Sequence, residues 1–66
     1  MDQKQFKKAF KNVIGNERVV RLYNTSVFYA NDYAFFKTID GVMRVRILLQ
    51  EREIGYCDLE DVMEVY

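Results

Sequence analysis

The segment Tyr33–Leu49, YAFFKTIDGVMRVRILL, decides how this chain folds. Asp40-Gly41 separates two apolar runs, and Asp-Gly at that place is a strong hairpin signal, because both central residues of a tight turn need positive φ. A two-residue turn sets Ile39 opposite Val42, Thr38 opposite Met43, Lys37 opposite Arg44, Phe36 opposite Val45, Phe35 opposite Arg46, Ala34 opposite Ile47 and Tyr33 opposite Leu48. Successive strand side chains point to opposite faces, so these pairs sort into two sets. Ala34, Phe36, Met43, Val45, Ile47 and Leu49, with Thr38, form the expected core face. Tyr33, Phe35, Lys37, Arg44 and Arg46 share the other face with Ile39, Val42 and Leu48.

In that register Lys37 and Arg44 are like charges directly across a strand pair, which is locally destabilising. An anion has to offset them. An acid of the next strand, Glu51 or Glu53, with Phe35 stacked on Arg46, supplies it within the chain. The other source is a partner. Tyr, Phe and Arg together are what protein interface hot spots are made of. Aromatics interleaved with cations on a sheet also stack bases and hold phosphates. Tyr33, Phe35, Lys37, Arg44 and Arg46 are therefore the main candidate contacts.

Upstream of the hairpin, Phe6, Ala9, Phe10, Val13 and Ile14 recur at helical spacing and predict an amphipathic helix. Asp2 suits its N-cap and Gly15-Asn16 its end. Lys4, Lys7, Lys8 and Lys11 line the opposite side, as a solvated face or as a ridge of phosphate contacts. "RVVRLYN" from Arg18 and "VFYA" from Val27 are β-rich runs closed by the turn-prone Asn24-Thr25-Ser26 and Asn31-Asp32. Downstream, the spacing predicts a short strand over Ile54 to Cys57, a turn over Asp58 to Asp61 and a last strand over Val62 to Tyr66. Leu59, Val62 and Met63 also suit a helix, which competes for the last ten residues.

The expected fold is a single α+β domain over residues 1–66: an N-terminal helix packed on a strongly bent antiparallel sheet of four to five strands. That order of elements resembles the SH3-like and Sm-like small barrels in architecture. No residue motif of either family carries a function over to this chain.

Sixty-six residues leave room for one marginal core. Cys57 is the only cysteine and there is no histidine, which excludes an internal disulfide and a conventional zinc site. No metal and no cofactor is expected. Half the residues are hydrophobic, including five Tyr and five Phe, which implies either a very well filled core or a core plus an apolar surface that meets another chain. A homo-oligomer is one outlet for such a surface. A lone thiol and the lack of a long apolar run point to a cytoplasmic protein without a membrane span.

Zero net charge conceals a gradient. Residues 1–21 carry Lys4, Lys7, Lys8, Lys11, Arg18 and Arg21 against Asp2 and Glu17, a balance of +4. Residues 51–66 carry Arg52 against Glu51, Glu53, Asp58, Glu60, Asp61 and Glu64, a balance of −5. The two ends either neutralise one another across the fold or offer different partners opposite surfaces. Asp58, Glu60 and Asp61 are a second candidate surface. Their spacing lacks the pattern of a calcium loop.

Catalysis is not expected, since Cys57 has no histidine to activate it and the chain is short for a cleft. The expectation is a small non-enzymatic protein-binding module, an inhibitor or adaptor that occupies a partner's surface. Phages and mobile elements use proteins of this size and composition in that way. A nucleic-acid-binding protein using the hairpin and the lysine ridge is the alternative, weakened by a pI near 6.2. A structural homo-oligomer is the third reading.

Overall fold

A computed structural model describes residues 1–66. The helix α1 spans Gln3–Asn12. It begins in a capping box: the Gln5 N–H donates to the Asp2 carboxylate at 2.8 Å, and the Asp2 N–H donates to the Gln5 side chain at 2.9 Å. It ends earlier than the apolar spacing predicts, because Val13 is already extended and Ile14 lies fully exposed. Only Phe6 and Phe10 of the expected stripe are buried.

What stops α1 comes from the next element. The Arg18 side chain donates from Nε to the Phe10 carbonyl at 3.0 Å, and its guanidinium lies 4.8 Å from the Phe10 ring centroid. A last-turn carbonyl that the helix leaves unpaired thus finds a charged donor, which also suits the negative end of the helix dipole.

Six strands follow, all pairing antiparallel: β1 (Arg18–Leu22), β2 (Val27–Ala30), β3 (Asp32–Lys37), β4 (Met43–Leu49), β5 (Arg52–Asp58) and β6 (Val62–Val65). A single 3₁₀ turn at Leu59–Asp61 joins the last two, so the competing C-terminal helix does not form. The strands make two three-stranded sheets, β2-β1-β6 and β3-β4-β5, and neither closes on itself. One bent sheet of four to five strands was expected; the α+β class stands, but there are six strands and they divide into two sheets. The chain crosses from the first sheet to the second at Asn31, whose N–H donates to the Leu48 carbonyl at 3.0 Å.

The core lies between the sheets and under α1. Val20, Leu22 and Val62 enter it from the first sheet, Val45, Ile47 and Cys57 from the second. Phe6 is completely buried there, which contributes roughly 1.5–3 kcal/mol. It meets Tyr33 and Phe35 edge-on, at 5.0 and 5.7 Å between ring centroids, while Phe10 meets Tyr33 at 4.6 Å. These four rings fix α1 to the inner face of β3. Phe28 of β2 packs across onto Gly55 of β5, linking the two sheets where β5 has no side chain.

The hairpin departs from its expected register by one residue. Thr38 and Val42 close a three-residue loop, Ile39-Asp40-Gly41, in which the Gly41 N–H donates to the Thr38 carbonyl at 3.0 Å and Gly41 adopts φ +89°. The left-handed residue after a tight turn is the usual place for glycine in a three-residue hairpin loop. The Thr38 hydroxyl bonds both the Asp40 carboxylate and the Val42 N–H, bracing the loop from inside. Lys37 now lies opposite Met43, Phe36 opposite Arg44, Phe35 opposite Val45 and Tyr33 opposite Ile47. Since one step of register turns every side chain over, Tyr33 and Phe35 join the inner face and Ala34 and Phe36 the outer one.

Candidate partner-binding surface

The outer face of β3-β4-β5 follows from the alternation in β4. Val45 and Ile47 are buried, and Arg44 and Arg46 between and beside them point the other way. Arg44 lies between Phe36 on β3 and Asp58 on β5, and Arg46 between Ala34 and Tyr56. The like-charge conflict of the expected register does not arise.

Each arginine has an acid and a ring. Arg44 Nε donates to Asp58 Oδ1 at 2.7 Å, and Arg46 forms an ion pair with Glu53, Nε to Oε1 at 3.2 Å. The Arg46 guanidinium stands 4.7 Å from the Phe36 ring centroid, and that of Arg44 5.6 Å from Tyr56. Phe36 and Tyr56 meet edge-on at 6.2 Å. The sequence Arg46–Phe36–Tyr56–Arg44 is thus a continuous cation–aromatic array. The Asp58 hydrogen bond raises the Arg44 pKa further. The two arginines balance the two carboxylates within the array, while Tyr56 (57% exposed) and Ile54 (44%) keep the face partly apolar.

The five expected contact residues do not share this face. Arg44 and Arg46 are on it. Tyr33 and Phe35 are held against Phe6 and Phe10, and Lys37 lies exposed at the end of β3 on their side. The ring stacked on Arg46 is Phe36, where Phe35 was expected. Phe36 and Tyr56 are the members that the sequence reading missed; the repulsion between Lys37 and Arg44 was the signal that could have found Phe36.

Lys4, Lys7, Lys8 and Lys11 are all exposed on α1, with Lys7 Nζ 5.9 Å from the Phe35 ring centroid. Because α1 covers the inner face, the lysine ridge and the arginine pair are on opposite sides of the second sheet. Asp58 is engaged by Arg44, whereas Glu60 and Asp61 are exposed on the 3₁₀ turn. No group of carboxylates and Cys57 comes together as a metal-binding cluster. The Cys57 thiol is buried, and its pKa is pushed up to about 11 by burial and then by the charges of Asp61 and Asp58. The charge gradient is partly cancelled in place, since Arg21 of β1 pairs with Glu64 of β6 at 3.6 Å. No helix is long and apolar enough to cross a membrane. No protein-family model matches the chain, and no curated protein or solved structure is similar to it.

Proposed function

We propose that this chain is a non-enzymatic protein-binding module, an inhibitor or adaptor that acts by laying the outer face of β3-β4-β5 on a partner protein. The observation that carries this reading is the self-neutralised array of Phe36, Tyr56, Arg44 and Arg46. Its charges are already paired with Asp58 and Glu53, and beside those partly exposed pairs it presents Tyr56 and Ile54. Arginine and tyrosine at the centre of a patch are the residues that most often dominate protein interfaces. A phosphate backbone would have to displace both carboxylates and would find the helix lysines on the far side of the sheet, which disfavours the nucleic-acid reading. We also read the two sheets as halves of an SH3-like or Sm-like small barrel, supported by the passage of β2 into β3 through Asn31.

Affinity capture with the immobilised chain tests the function. The expected result is a partner retained by wild type and by Lys7→Ala/Lys8→Ala but lost with Ile54→Asp/Tyr56→Asp. Loss with the lysine variant alone refutes the assignment of the face. Salt-sensitive binding of mixed-sequence oligonucleotides, abolished by Arg44→Glu, replaces the reading with the nucleic-acid one. Light scattering that finds a dimer abolished by Tyr56→Asp replaces it with the homo-oligomer.

A further inference from the structure

The molecule has one concavity, at the hairpin end of the second sheet, with a volume of about 300 Å³. Val42 and Met43 at the start of β4 and Leu59 of the 3₁₀ turn give it apolar walls, Gly41 contributes backbone, and Glu60 is its one charged lining residue. The size is at the lower end of pockets that bury small ligands, enough for one long side chain.

Charge narrows the choice of occupant. Asp58, Glu53 and Glu64 each have an arginine partner, whereas Glu60 and the adjacent Asp61 form no ion pair. An anionic guest would meet the unpaired Glu60 carboxylate at the rim. A long cationic side chain fits both halves of the site, because such side chains bury their methylene stems while the charged head stays near water.

We infer that the concavity receives a lysine or arginine side chain of the partner protein, its stem against Val42, Met43 and Leu59 and its head at Glu60. This rests on the protein-binding reading above and adds to it a second point of contact: Met43 alternates with Arg44, so the partner reaches round the hairpin end of the sheet with a basic residue.

The test uses Nα-acetylarginine methylamide as probe, with the citrulline analogue as an uncharged counterpart of the same shape. Chemical shifts of Gly41, Val42, Met43 and Leu59 are followed in the isotope-labelled chain. Saturable shifts at these residues are expected, weaker for the citrulline analogue and in Glu60→Gln by about two- to fivefold, the ratio of one partly exposed ion pair. Glu60 is exposed, so Glu60→Gln should retain the remaining spectrum and report on the site alone. Equal response to both probes, an unchanged response in Glu60→Gln, shifts confined to other residues, or none at all overturns the inference. Because the probe is a free amino-acid derivative, such a failure leaves the capture result with Ile54→Asp/Tyr56→Asp standing. Failure of that capture, conversely, does not alter the titration.

Discussion

Gly55→Ala places a methyl where β5 has none and Phe28 already fills the space. A Cβ built at Gly55 falls 2.6 Å from Phe28 Cε1 and 3.0 Å from Cζ, well inside ordinary contact. Either the ring moves off or the sheets part. Overpacking of this kind costs typically about 1–3 kcal/mol. Replacing a strand glycine returns roughly 0.5–1 kcal/mol of backbone entropy. The net expectation is a loss of about 1–2 kcal/mol. At about 4–8 °C per kcal/mol for a domain of this size, the thermal midpoint falls by roughly 5–15 °C. Thermal and urea unfolding of wild type, Gly55→Ala, Phe28→Ala and the double variant measure the coupling directly. If the ring is the cause, Gly55→Ala becomes neutral or stabilising once Phe28 is alanine. Additive costs, or a single variant within about 0.5 kcal/mol of wild type, refute the account of how the sheets are joined.

Arg18→Met keeps a long apolar stem but removes the donor to the Phe10 carbonyl, and should cost about 1–2 kcal/mol, the usual loss for a partly buried charged hydrogen bond. Amide exchange should show that loss first in the last turn of α1, and a change spread evenly over both sheets contradicts it. Cys57 has its pKa raised from 9.0 to about 11 by folding, so unfolding releases a proton above pH 9. Its contribution is complete below pH 9 and disappears as pH rises through 11, a fall of order 2 kcal/mol. Cys57→Ala should flatten the stability profile between those values, and a slope unchanged from wild type overturns the assignment.

Most elements could be read from the residues because each has its own local signal. Asp2 with Gln5 marks the start of α1, and Asn24-Thr25-Ser26 the turn after β1. The MRVRI alternation of β4 separates its faces without ambiguity. β3 was the weak point. In YAFFK two phenylalanines are adjacent, so alternation alone cannot say which faces inward. The decision passed to the turn, where Asp-Gly serves a two-residue loop and a three-residue loop equally well. Thr38 selects the longer loop by bonding inside it, a tertiary detail that dipeptide statistics do not contain. The error moved Tyr33 and Phe35 out of the core and hid Phe36, while the assignment of Arg44 and Arg46 survived because β4 did not depend on it. Tyr56 was invisible for a different reason: its place beside Phe36 depends on a third strand, paired through a register shift at Ile47 and Leu48.

The pairing of Arg44 with Asp58 and Arg46 with Glu53 also bears on how fast a complex forms. Under the proposed reading the balanced array adds little long-range attraction of its own, so any steering of a basic partner comes from the unpaired Glu60 and Asp61, above an unsteered rate of roughly 10⁵–10⁶ M⁻¹s⁻¹. Affinity at this face is then set almost wholly by residence time, through how long Tyr56 and Ile54 stay covered. On the proposed reading, firm holding at this face rests on slow release.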